Sequence, residues 1–432
     1  MRTGRPVVVS ISALVFAVAA GCASFSPTPM EQVGFTERAE TQTKGDITVT
    51  VAVLSADEAR AVFDTKLYKK KIQPIWVEIT NGTDEFLGFL PRSVDADYHS
   101  PLEVAQKSLT TGAKKSNRAK RLFYLEHQMP FQLPPGETTS GFVFGNRSLG
   151  LRWMALRIIG ENWSEKFEFI VQIPGFKADF HKLEDVQTYA EDDYTDLDEA
   201  GLLEWIEAQP AFVTNKDGSK TGDPLNLVII GTPDAVWPAF LSQGWGPTAA
   251  MTTGSALKTG IFGIFGGEYR YAPISDLYVY GRSQDIALQK VRNNIHYRNH
   301  LRLWEAPVRY QGRSVLIGQI SRDIGSRLTT KSSTLTTHRI DPDVDETRAS
   351  LIQDFLWAQA LEIFGFAGGV GEISLDNPRG NLTGDIFFTD GQRAVMLLSE
   401  DPVDYEHIGR FSWHRPVSDG SAAGGADAPG EQ

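Results

Sequence analysis

Cysteine is almost missing from this sequence: Cys22 is the only one in 432 residues. No internal disulfide can form, thiolate zinc sites are excluded, and thiol catalysis has no residue in the body of the chain. Long apolar runs are equally scarce. Past residue 20 none reaches the roughly 18 uninterrupted apolar residues of a spanning helix. The run from Phe355 to Val370 is broken by Gln359 and Glu362, and that from Gly260 to Gly267 is too short. Basic residues are in deficit, 42 Lys and Arg against 54 Asp and Glu, for a net charge of −12. That balance argues against nucleic acid as a partner. Nucleotide-site glycines are missing too. Gly231-Thr232-Pro233-Asp234 lacks the repeated glycines that let backbone approach a pyrophosphate, and no phosphate loop occurs. Without a Gly-x-Ser-x-Gly, a serine nucleophile elbow has no support.

What is present begins at the N-terminus. Arg2 and Arg5 precede an apolar run from Val7 to Ala20, the length of a signal-peptide h-region, and Ala19-Ala20-Gly21-Cys22 follows. These residues resemble the lipobox of bacterial lipoproteins, with Ala19 standing where that family prefers Leu. The resemblance implies that Cys22 is acylated and becomes the mature N-terminus; an ordinary cleaved signal peptide is the alternative. At roughly 0.8 kcal/mol per buried CH₂, two or three acyl chains make attachment effectively permanent. Ala23 and Ser24 lack the Asp that resembles an inner-membrane retention signal. The expected location is therefore the cell envelope, at the outer membrane facing the periplasm.

Apolar content of 41% with 10% aromatics is that of a globular protein, and the length allows two or three domains. The expected fold class is α+β: an N-terminal antiparallel β-sandwich, immunoglobulin-like in general form, followed by a mixed α+β domain. Residues 1–22 form the lipoprotein signal and lipobox, and polar residues 23–45 a tether. Period-two alternation then predicts the sandwich over 46–175: Ile47, Val49, Val51 and Val53; Ile75, Val77 and Ile79; Phe167, Phe169, Val171 and Ile173. Asn81-Gly82, Pro134-Pro135-Gly136 and Gly160-Glu161-Asn162 supply turns.

Charge is unevenly distributed. Between Gln106 and Leu122 lie Lys107, Lys114, Lys115, Arg118, Lys120 and Arg121 with no acid among them. This segment reads as a solvated loop or as one resting on anionic headgroups. From Leu183 to Glu207 ten acids occur without a Lys or Arg, and Leu183, Val186, Ala190, Tyr194 and Leu197 recur at helical spacing. An acidic helical connector is expected over 176–221.

In the second domain, 222–400, Leu227 to Ile230 is a buried strand, with Thr232 and Pro233 opening a helix to about Gln243. Strands are expected at Asp276–Tyr280, His300–Trp304 and Ser314–Ile320, with a turn at Gln311-Gly312. A helix is expected at about Glu346–Phe364, and a hairpin of Asp385–Thr389 with Arg393–Leu398. Residues 401–432 read as a tail, mostly disordered. The stretches Ser275 to Arg282, His300 to Trp304, Gly318 to Gly325 and His338 to Asp345 resemble the LssY C-terminal domain family over roughly 222–400. In other proteins that domain looks like an appendage to membrane-embedded lipid-phosphatase modules. The resemblance implies a fold unit and an envelope context, and no agreed reaction.

Two sites are candidates. His300, Arg302 and Trp304 share one strand face; with Arg282, Arg322 and Asp323 they can form a polar pocket for an anionic ligand such as a phosphate group. His338, Asp341, Asp343 and Asp345 can bind Mg²⁺ or Mn²⁺ and activate water. The same acids equally suit a helix cap, with Asp343 at the N-cap and Glu346 three residues on. The expected function is a non-catalytic, lipid-anchored module binding an envelope protein or anionic ligand. The alternative is a metal-dependent hydrolase of phosphate esters centred on the acidic motif.

Overall fold

A computed structural model describes residues 25–148, 150–173, 189–248, 274–291, 297–328 and 336–413. Cys22 and residues 414–432 lie outside the described residues, while residues 401–413, expected as tail, carry a 3-10 turn at Tyr405–His407 and a strand at Gly409–Arg410 with Phe411 buried.

The alternating stretches form strands where expected. One sheet contains β1 (Glu40–Lys44), β2 (Ile47–Val53), β3 (Ile72–Asn81) and β6 (Thr138–Asn146), in that order and antiparallel. The other runs β5 (Gln132–Leu133), β4 (Leu87–Leu90), β7 (Leu151–Gly160), β8 (Trp163–Gln172). Val49, Val51, Ile75 and Val77 of the first sheet share a core with Phe89, Leu156, Phe167 and Phe169 of the second. Period-two burial produces this face-to-face pair, because each strand sends alternate side chains inward.

The outer face of the first sheet is not solvated. Helices α1 (Ala56–Phe63), α2 (Pro91–Val94), α3 (Pro101–Gln106) and α4 (Lys114–Glu126) belong to this half. Ala59, Phe63, Val104 and Tyr124 pack with Trp76, Phe142 and Phe144 in a second apolar cluster. The basic segment expected as a loop is mostly α4. Residues 25–44, expected within the tether, are structured. Phe35 is buried in the same cluster and β1 pairs with β2 from Glu40 to Lys44.

Of the acidic connector, among the described residues, only α5 (Glu199–Glu207) is α-helical, with one 3-10 turn at Glu191–Asp193; α5 is capped by Asp198, whose side chain accepts from Gly201 N at 2.8 Å. Before it β9 (Thr195–Leu197) runs parallel to the strand Arg298–Tyr310, and Glu191 pairs with Arg309. After it come β10 (Phe212–Thr214), β11 (Thr221–Pro224), β12 (Leu227–Gly231), α6 (Pro233–Ser242) and β13 (Gly246–Pro247). The Thr232 side chain caps α6 through Ala235 N at 3.2 Å, and Pro233 opens it, as the sequence predicts.

The rest comprises β14 (Tyr278–Val279), β15 (Arg282–Ser283), β16 (Ile286–Val291), β17 (Arg298–Tyr310), β18 (Arg313–Leu328), β19 (Thr336–Ile340), α7 (Val344–Trp357), β20 (Leu361–Ala367), β21 (Arg379–Gly380), β22 (Ile386–Phe387), β23 (Arg393–Leu398) and β24 (Gly409–Arg410). A ten-stranded sheet runs β13-β16-β17-β18-β12-β23-β20-β24, with β19 beside β18 and β9 beside β17. Gln311 (φ 53°) and Gly312 (φ 72°) turn β17 into β18, as two-residue hairpins require. α6 and α7 cover one face over Leu227, Leu301 and Met396; α5 and β14 cover the other over Val228, Trp304 and Leu397.

Two expectations fail here. The last helix ends at Trp357 rather than near Phe364; Gln359 adopts φ 56°, and the chain re-enters the sheet as β20. The hairpin of residues 385–398 does not form. β22 pairs with β21, while β23 lies parallel to β12 and antiparallel to β20. β23 is buried on both faces throughout, which demands a central place in the sheet. Mixed α+β architecture with mostly antiparallel sheets is the result.

Candidate functional site

On β17, Leu301 and Leu303 point into the core under α6 and α7, so the alternate residues face the other way. These are Arg298, His300, Arg302 and Trp304. The β18 register sets Ser321 opposite His300 and Gln319 opposite Arg302, and β16 brings Gln289 beside His300. Polar side chains thereby line up across three strands. They are nevertheless buried: Arg298 and Asp323 are each 2% exposed and Gln319 is 0%.

The group is hydrogen-bonded. His300 Nε2 donates to Asp323 Oδ2 at 2.7 Å, since an ionised carboxylate only accepts. Arg298 Nε lies 3.8 Å from the same oxygen, and its Nη1 donates to Gln289 Oε1 at 2.9 Å. Arg302 donates to Gln319 Oε1 at 3.0 Å and, through Nε and Nη2, to the Ser275 carbonyl. Burial lowers the His300 pKa, and this outweighs the opposing pull of Asp323. Near neutral pH the ring is therefore uncharged. Burial likewise lowers Arg298, against the Asp323 charge. Asp223, bonded by Asn381 Nδ2 at 3.0 Å, is raised by burial and by the charge of Asp385, with Arg302 opposing. Two guanidiniums beside one carboxylate leave an excess of positive charge suited to an anion.

The fold brings together only part of the expected set. His300, Arg302 and Asp323 converge. Arg282 does not join them; beyond Trp304 it binds Asp285 through both carboxylate oxygens at 2.6 Å and donates to the Glu305 carbonyl. Arg322 points to the opposite face, where it pairs with Glu346 at the start of α7. Arg298, Gln289, Gln319 and Asp223 were not anticipated. Arg298 carries the same period-two signal as His300 and Arg302, but it stands two residues before the strand the sequence predicts from His300.

In the acidic motif each aspartate has its own backbone task. Asp341 Oδ1 accepts from Asp343 N at 3.2 Å. Asp343 caps α7, accepting from Asp345 N and Glu346 N, each at 3.1 Å. Asp345 accepts from Thr389 Oγ1 at 2.7 Å and Asp390 N at 2.6 Å, and burial raises its pKa. The His338 side chain lies outside the described residues. Among the described residues, no three His, Cys, Asp or Glu side chains gather as a metal would require.

A cleft of about 330 Å³ separates the two halves. Trp153, Arg157 and Lys166 of β7 and β8 line it on one side; Asp234, Trp357 and Glu400 line it on the other. Its walls carry both signs of charge and two indoles.

Residues 206–392 match the family model for the LssY C-terminus. The match opens at the end of α5 and stops one residue short of β23, so the central sheet outruns it. No curated protein matches the chain.

Proposed function

We propose, from a chain whose residues 206–392 form an LssY C-terminal domain, that this protein is a lipid-anchored envelope lipoprotein acting as a non-catalytic binding module. Cys22 carries the anchor, and the folded chain faces the periplasm from the outer membrane. The ligand is an anion or an anionic partner group held by the Arg302 guanidinium, beside the His300–Asp323 pair, whose single ring N–H is already given to the carboxylate. The N-terminal half is immunoglobulin-like in general form, two antiparallel sheets around one core, although its first three strands run as a meander within one sheet.

One observation carries the reading: the central sheet spends a buried face on Arg298, His300, Arg302 and Asp323 where apolar residues pack better. Buried charge costs stability unless it is paired, and groups so perturbed concentrate at functional sites. The hydrolase alternative, built on His338, Asp341, Asp343 and Asp345 with Mg²⁺ or Mn²⁺, gains no support from carboxylates engaged by backbone N–H groups.

The test has two parts. Palmitate labelling of the full chain in a bacterial envelope should mark the protein and vanish in Cys22→Ala. Thermal unfolding with inorganic phosphate should raise the Tm by several degrees at about 100 times the dissociation constant. Arg302→Gln should fold and lose the shift. Unlabelled protein refutes the anchor, and an equal shift in Arg302→Gln refutes the site.

A further inference from the structure

The first described residues are fastened to α4 through Phe25 and to the end of α1 through Ser26 and Thr28. The Phe25 ring meets Phe123 edge to face at 5.4 Å, and Lys120 Nζ stands 5.8 Å over its centroid. Ser26 N donates to Asp64 Oδ2 at 3.1 Å and Thr28 N to the Ala61 carbonyl at 2.9 Å. Two residues separate Cys22 from Phe25, so the covalent chain keeps their Cα atoms within about 11 Å of each other. α4 is about 20 Å long. Any acyl group on Cys22 therefore enters its membrane beside this helix.

The exposed side of α4 is unusual. Tyr124 is buried against Phe63, with ring centroids 5.1 Å apart, and this orients the helix. Lys115, Arg118, Leu122 and Leu125 then follow one another at spacings of three and four along the outward face, flanked by Lys114 and Arg121. All six are exposed, Leu122 at 46% and Leu125 at 38%. No acid interrupts the helix before Glu126. A chain of net charge −12 has thus placed a basic face, with two leucines at its end, next to its own anchoring residue. Solvent rewards the lysines and not the leucines; the boundary of an anionic bilayer rewards both.

We infer that α4 lies flat on an anionic lipid surface, its basic residues on headgroup phosphates and Leu122 and Leu125 dipping into the acyl boundary. The placement rests on the proposed anchor at Cys22, while the surface itself does not need acylation. Each basic residue near such a surface strengthens binding about fivefold.

The chain from residue 22 onward bearing Cys22→Ala, free of both the apolar Val7–Ala20 segment and acylation, tests the surface alone. Its co-sedimentation with phosphatidylethanolamine–phosphatidylglycerol vesicles is compared with that on phosphatidylcholine vesicles. Lys115→Glu with Arg118→Glu should cut the preference for the anionic vesicles at least about 25-fold, two residues at that factor each. Leu122→Ser with Leu125→Ser should weaken binding at low and high salt alike. All four positions are exposed, so circular dichroism should match the parent chain. Equal partitioning by the charge-reversed chain overturns the inference, as does an equally salt-sensitive grip on RNA, which would make lipid the wrong occupant. Acylation is read separately, from the mass of the Cys22 peptide of the unaltered chain, so the two proposals fail independently.

Discussion

His300 Nε2 stands 2.7 Å from Asp323 Oδ2, tying β17 to β18 in the middle of a buried face. Burial lowers the His300 pKa in the folded chain, whereas an unfolded histidine titrates near 6.5. As the pH falls below about 6.5 the unfolded state takes up a proton that the folded state refuses, so stability drops. For one such group the slope approaches about 1.4 kcal/mol per pH unit until the folded pKa is reached. Urea unfolding of the parent chain and of His300→Gln, at pH 7.5 and pH 5.5, should give a gap between the two that narrows on acidification. A constant gap would show that the ring titrates normally in the fold.

Asp343 is the N-cap of α7, with two backbone N–H groups on one carboxylate oxygen. Replacing it with Ala should cost about 1 kcal/mol, as cap losses typically do, and Asp343→Asn should recover most of that. Both variants should show the same stability with and without Mg²⁺ or Mn²⁺. If Asn fails to rescue, or if either ion stabilises the parent chain and not the variants, the motif is a metal site after all.

The cap was legible because it is local: Asp343, its three-residue spacing to Glu346 and the following helix all sit in one short stretch. So were the period-two strands of the N-terminal half and the Gln311-Gly312 turn. The failures share a different cause. β23 alternates no more than a core helix does, and its neighbours β12 and β20 are distant or cross-wise in sequence. Nothing short-range marks it as a central strand. The pocket was half legible for the same reason. Alternation placed His300 with Arg302, but the partners of Arg282 and Arg322 are set by tertiary packing, which sent one to Asp285 and the other to Glu346.

Arg393 is fully buried, and its guanidinium donates to the carbonyls of Ile206, Gln209, Pro210, Leu225, Gly368 and Gly369. It draws together the end of α5, the approach to β12 and the chain after β20. Burial lowers its pKa to about 10, still well above neutrality, so the charge is retained. Arg393→Met should destabilise by at least about 3 kcal/mol, since it strands several buried carbonyls at once. Arg393→Lys, with a smaller donor set, should fall between. Chemical denaturation would measure both, and a loss under about 1 kcal/mol in Arg393→Met would mean that water replaces the guanidinium.

Gly141 sits on β6 where the chain leaving α4 crosses it. A Cβ built there would come within 2.5 Å of the Gln128 carbonyl carbon and oxygen and of Met129 N. Those atoms are backbone, and the seam is fixed by Phe142 N donating to the His127 carbonyl at 2.8 Å and Met129 N to the Phe142 carbonyl at 3.1 Å. No side chain can swing away to make room, so Gly141→Ala must push residues 127–129 off the sheet. Overpacking of this kind costs about 1–3 kcal/mol, and more where backbone must move. Gly380→Ala is the control, since nothing lies within 4 Å of its Cβ and its change should stay within about 0.5 kcal/mol. Hydrogen exchange in Gly141→Ala should quicken across residues 127–146 before the opposite sheet responds, because that seam joins the end of α4 to β6. Exchange that rises uniformly over both sheets would mean the crossing has no stability of its own to lose.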